Sequence, residues 1–86
     1  MDDIVTLRGK IDKVDDQILG HISQRVKICQ AIGELKKQQR KPVQDIDREK
    51  QVYQRIRDHA ESLMLDPIMV ERIYREIVNM CSTVQE

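Results

Sequence analysis

The chain has 86 residues, room for one domain spanning 1–86 and no more. Lys+Arg is 15 and Asp+Glu is 15, so the formal net charge is zero, without the basic excess or stripe that a nucleic-acid binder carries. No apolar run approaches the ~20 residues of a membrane span, and the acidic opening MDDIVTLRGK has no signal-peptide core, so neither nucleic acid nor membrane is expected as a partner.

Cys29 and Cys81 fit no metal or redox spacing, and a reduced cytoplasmic compartment is the simplest expectation. Aromatic residues are scarce, the charged fraction is 35 % with both signs interspersed, and no segment alternates with period two over a strand length. This is the composition of long amphipathic helices, and the expected fold class is all-α.

The first helix is expected from about Asp2 or Asp3 to about Lys37. Ile4, Leu7, Ile11, Val14, Ile18, Leu19, Ile22, Val26, Cys29, Ile32 and Leu35 follow three- and four-residue steps, which makes one buried face. The polar run Lys36–Lys41 and then Pro42 end it, because the residue before a proline is pushed out of the helical region. The second helix starts near Asp45, a cap for the free amides of the first turn, and continues through Val52, Tyr53, Ile56, Ala60 and Leu63. Asp66-Pro67 marks the third start, an acidic cap followed by proline at the first helical position. Val70, Ile73, Tyr74, Ile77, Val78, Cys81 and Val84 form its apolar face.

Length sets the assembly. A helix of about 35 residues spans roughly 50 Å, whereas a compact chain of this size has a radius of gyration near 12 Å. Two shorter helices cannot cover the long one. The expectation is an intertwined homodimer of chains with one long and two shorter helices, although coiled-coil pairing alone would meet the same need.

Some of the positions on the inward line are cationic. Ile22, Arg25, Cys29, Ile32 and Lys36 follow helical steps, and Arg25 and Lys36 stand almost in register after three turns. Either the two side chains snorkel to water, or a carboxylate from protein or ligand meets them, because an unpaired buried charge is very costly. Asp45, Arg48 and Glu49 read equally as a capping cluster with an exposed ion pair or as part of a site. Gln85 follows Cys81 by one turn and is either a frayed polar end or a site residue. Arg8 lies seventeen residues before Arg25, about 25 Å along the axis and roughly 100° around it. If both serve one small ligand, Arg8 comes from a partner chain. His21 and His59 are isolated and read as surface or packing residues.

The segment Leu7-Arg8-Gly9-Lys10-Ile11-Asp12, followed by Asp15 and Ile18-Leu19, resembles the opening of the all-helical (AroQ-class) chorismate mutases. Gln24-Arg25-Val26, then Lys36, then Pro42-Val43-Gln44-Asp45-Ile46-Asp47-Arg48-Glu49, is similar to the rest of that signature, and the resemblance covers essentially the whole chain. It implies rearrangement of chorismate to prephenate in the shikimate route to Phe and Tyr. It further implies an intertwined dimer whose sites each borrow an Arg. By that resemblance Arg25 and the partner's Arg8 hold the substrate carboxylates. Lys36 bridges a carboxylate and the ether oxygen, and Gln85 donates to that oxygen. Glu49 accepts from the ring hydroxyl, with Asp45 and Arg48 nearby. Cys81 stands where the family often has Ser, which puts a hydroxyl contact there in question while leaving a backbone amide contact possible.

The implied reaction is unimolecular and requires no nucleophile, metal, proton relay or cofactor. Two other readings stay open at this point: an isochorismate-pyruvate lyase on the same fold, and a non-catalytic helical dimerisation or regulatory module. The complete Asp45, Arg48, Glu49 cluster favours the mutase over the lyase. A scaffold would not need these charged positions, and the chain is expected to carry no appended domain.

Overall fold

The computed structural model describes residues 3–86. Three helices follow one another: α1 (Ile4–Gln38), α2 (Ile46–Ser62) and α3 (Pro67–Gln85). No other regular element occurs among the described residues. An aspartate caps each start. Asp3 accepts from the Thr6 amide at 2.8 Å, Asp45 from the Arg48 amide at 3.0 Å, and Asp66 from the Ile68 amide at 2.9 Å. These carboxylates satisfy amides that have no partner inside the helix. The alternative start of α1 at Asp2 lies outside the described residues.

The first two helices end alike. After α1 the Lys41 amide donates to the Lys36 carbonyl at 2.8 Å, and after α2 the Leu65 amide donates to the Ala60 carbonyl at 2.9 Å. This closure needs a left-handed residue just past the helix, usually glycine. Here Arg40 (φ 56°) and Met64 (φ 61°) take that conformation, at a cost of about 1–2 kcal/mol each.

α3 is the shared neighbour. It packs against α1 and against α2, while α1 and α2 do not pack on each other. The α2–α3 seam holds the largest apolar groups, with Val52 and Ile56 against Val78 and with Tyr53, Val70 and Tyr74 around them. On the outer side Glu71 pairs with Arg57 of α2 and Arg75 of α3, and the Arg75 guanidinium lies 4.4 Å from the centre of the Tyr53 ring. The two arginines hold the Glu71 carboxyl below its ordinary range, chiefly through the Arg57 hydrogen bond. The α1–α3 seam is built from smaller or polar groups: Cys29 and Gly33 face Cys81 and Gln85, all four buried.

The N-terminal half of α1 is uncovered. Leu7, Ile11, Val14 and Ile18 are exposed, Ile11 by 58 % and Ile18 by 50 %. The molecule measures 57 × 23 × 15 Å with a radius of gyration of 16.2 Å. Its accessible surface is 7230 Å², against about 5,300 Å² for a compact monomer of this mass. Leu63, expected within α2, follows its last residue Ser62 as the cap and is 57 % exposed. Ile73 keeps the spacing of the buried face of α3 yet is 61 % exposed, because α1 and α2 leave that flank of α3 open.

Candidate active site

A cleft of about 310 Å³ opens between the C-terminal half of α1, the start of α2 and the end of α3. Arg25 and Lys36 reach it from α1, Glu49, Arg48 and the cap Asp45 from the start of α2, and Cys81 and Gln85 from α3. Seven of the eight residues singled out in the sequence therefore share one cavity. Arg8 does not. It is exposed on the far half of α1, about 25 Å along the axis from Arg25.

The helical register explains the convergence. Arg25, Cys29, Ile32 and Lys36 share one face of α1 and all line the cleft. Asp45 ends the connection and turns the chain into α2, so Arg48 and Glu49 in the first turn line the same cleft as Lys36. The folded-back loop is held by Lys36 itself, whose ammonium donates to the Val43 carbonyl at 2.7 Å.

Lys36 also donates to Gln85 Oε1 at 2.9 Å. An ammonium has three donors and no acceptor, so this bond fixes the amide with its oxygen toward Lys36. Gln85, only 8 % exposed, is thus a fixed part of the cleft wall and not a frayed end. Two of the three Lys36 donors are occupied, which leaves one for a ligand.

Arg25 is held by sulfur. Its Nη1 donates to Cys81 Sγ at 2.8 Å and approaches Cys29 Sγ at 3.9 Å. Burial, then the adjacent Cys81, pushes the Cys29 thiol above its ordinary value, with Arg25 and Gln85 pulling it down. Both cysteines are free. Among the described residues no carboxylate lies within ion-pair distance of Arg25, Lys36 or Arg48. The cleft therefore presents cations with unspent charge, half-buried at Arg25 and Lys36.

Three contributors escaped the sequence reading. Ser82 lines the cleft beside Cys81 and carries no periodic signal. The Val43 carbonyl is a backbone group that any residue would supply. Gly33 matters through what it lacks: a Cβ there would meet Gln85 Cα at 2.9 Å. A larger depression of about 620 Å³ over Gln51, Gln54, Arg55, Asp58, His59 and Ser62 lies along the outer face of α2 and gathers no comparable set of cations. No group of three or more His, Cys, Asp or Glu among the described residues is arranged to hold a metal ion. No helix among them is long and apolar enough to cross a membrane.

The chain is similar to the chorismate mutase of Methanocaldococcus jannaschii, with 29 % identity over 83 residues, covering 96 % of this chain and 84 % of that protein. It is also 27 % identical to the bifunctional chorismate mutase/prephenate dehydratase of Aquifex aeolicus, spanning all of this chain but a quarter (25 %) of that protein's length. A conserved hypothetical protein from Pyrococcus furiosus superposes with a TM-score of 0.72 and 31 % identity, over 93 % of this chain and 91 % of that one. The family described as Chorismate mutase type II matches residues 7–86. With nearly the whole chain inside that match and the cationic cleft at its centre, this protein belongs to the chorismate mutase type II family.

Proposed function

We propose that the protein is a chorismate mutase that converts chorismate to prephenate in the cleft between α1, α2 and α3, as part of a homodimer. The observation that carries this reading is the set of cleft cations without carboxylate partners, with Lys36 and Gln85 bonded to each other in its wall. A cavity of about 310 Å³ suits a small dicarboxylate and little more.

The chemistry asks for two things. The substrate is flexible and reacts only from a compact chair-like conformer, so holding both carboxylates lowers the entropic part of the barrier. Arg25 supplies one anchor. Negative charge also builds on the ether oxygen as the C–O bond breaks. Donors preorganised at that oxygen stabilise the transition state more than the ground state. The remaining Lys36 donor and the Gln85 NH2 fill this role. If Lys36 is to reach a carboxylate as well, it must release the Val43 carbonyl, since its other two donors are already occupied. Glu49, half-buried beside Arg48, accepts from the ring hydroxyl.

The second anchor is the partner's Arg8. Support comes from the bare apolar stripe of α1 and from the surface excess over a compact monomer, roughly 1,900 Å² per chain. Two such faces joined would bury an area in the range of obligate dimers, about 2,000–5,000 Å² in total.

Incubation with chorismate tests the reading directly. Prephenate should accumulate with saturation kinetics, while isochorismate should give little salicylate or pyruvate. A dimer that turns over neither substrate would support a non-catalytic module, and preferential release of pyruvate from isochorismate would support the lyase.

A further inference from the structure

We propose that Gly33 is a positioning residue for the rearrangement: its missing side chain lets the end of α3 sit against α1, and this contact sets where the Gln85 amide stands relative to Lys36. The inference rests on the mutase reading above. A Cβ at Gly33 would lie 2.9 Å from Gln85 Cα and 3.1 Å from both Gln85 Cβ and Cγ. The nearest of these is a backbone atom, so no side-chain rotation relieves the clash and α3 itself must retreat. Gly9 and Gly20, on the same helix, have nothing within 4 Å. The closeness at Gly33 is therefore a local feature and not a general property of α1.

One turn earlier in both helices, Cys29 and Cys81 approach the same Arg25 nitrogen. The two helices therefore run side by side in the same direction, and Gly33 and Gln85 form the last layer of their seam. Lys36 stands one turn-step beyond Gly33 and reaches back to Gln85 Oε1 at 2.9 Å. A hydrogen bond of that length tolerates little displacement before it weakens. A retreat of α3 at Gln85 would leave Lys36 on its Val43 carbonyl and carry the amide away from it. The ammonium would stay in place and the second donor would move.

Gly33→Ala is the test. Because substrate anchoring by Arg25 lies two turns away, KM should stay within about twofold while kcat falls roughly ten- to a hundredfold, the scale of a sub-ångström to ångström misplacement. A cycle with Gln85→Ala separates positioning from general damage. Once the amide is gone there is nothing left to misplace, so adding Gly33→Ala should lower kcat by less than about threefold. NMR decides the same point without turnover: the Gln85 side-chain amide resonances and their contacts to Lys36 should shift in Gly33→Ala while those of the Val52–Val78 core do not. Unchanged kcat, a full multiplicative loss on top of Gln85→Ala, or failure of Gly33→Ala to fold would each overturn the proposal, the last by making Gly33 a residue of the core. A wild-type protein without mutase turnover would sink the mutase reading instead. An unmoved Gln85 resonance would then sink the positioning inference separately.

Discussion

The two halves of α1 carry the same apolar periodicity and meet opposite fates. In the first half, Leu7, Ile11, Val14 and Ile18 project a regular, exposed stripe. In the second half, Cys29 and Gly33 are buried against α3, and Arg25 and Lys36 interrupt the stripe where it lines the cleft. Covering helices are too short to reach both. Burial of one stripe by about 25 cal/mol per Å² is a strong driving force wherever a second surface is available. The first half is accordingly a surface that still needs an apolar partner, and the second a surface that has been given up to charge. A pattern of apolar spacing identifies a face; it does not say whether the same chain covers it.

The sharpest way to test the second half is Lys36→Ala. It removes the cation bonded to Gln85 and should cost about 3–4 kcal/mol of transition-state stabilisation, a loss of roughly a hundred- to a thousandfold in kcat/KM. Dimerisation should be untouched, because the first half is untouched. A kcat/KM within threefold of wild type would break the mechanism. The two halves can then be set against each other by mixing Arg8→Ala with Arg25→Ala, each nearly inactive alone. If Arg8 acts in trans, half of a randomly reassorted population is mixed dimers with one intact site, and about a quarter of wild-type activity should return. If Arg8 belongs to its own chain's site, or to none, the mixture stays at the level of the separate variants.

How far these contrasts could be seen in the sequence depended on the kind of signal. All three helix starts were legible, because Asp3, Asp45 and Asp66 act through their own side chains on amides two or three residues away. The stripe and the inward cations were legible through helical spacing, and seven of the eight chosen site residues meet in the cleft. The helix ends were placed within a residue or so, but not their mechanism. Arg40 and Met64 take a left-handed conformation that their residue types rarely adopt, so composition gives no warning. Gly33 carries no signal of its role in the sequence, since a glycine's cost is local and its benefit depends on a segment some fifty positions away in the chain. By spacing alone Gln85 reads as either a frayed end or a site residue for the same reason, and only the family resemblance gives it a role. Ile73 misled in the other direction: it keeps the spacing of a buried face that neither α1 nor α2 reaches.

A smaller effect bears on how Arg25 is held. Its donor at 2.8 Å meets a thiol, a weak acceptor, at Cys81. Cys81→Ser would replace it with a hydroxyl that both accepts from Arg25 and donates to a carboxylate. One added neutral hydrogen bond is worth about 0.5–1.5 kcal/mol, so KM for chorismate should fall about two- to tenfold while kcat moves less than twofold. A change confined to kcat would place Cys81 with the bond-breaking end of the cleft and blur the division between an anchoring and a reacting pole.

The least effect is expected where neither half of α1 is involved. Glu71 ties α2 to α3 through Arg57 and Arg75, and none of the three lines the cleft. Its carboxyl is held below the ordinary range in the folded protein, mainly by the Arg57 hydrogen bond. A depressed folded value means that the unfolded chain binds the proton more tightly. The stabilisation is therefore fully present above the ordinary glutamate range and is lost as pH falls through the lowered folded value. Glu71→Gln should lower Tm slightly at neutral pH, and the gap to wild type should close as the solution is acidified through that window. Because the pair is partly exposed, added salt should narrow the gap as well. Activity at a temperature well below Tm should not change, since the cleft cations and α1 keep their neighbours. A variant whose kcat/KM fell along with its Tm would show that the α2–α3 clasp is coupled to the charged half of α1, and the two seams of α3 would have to be treated as one.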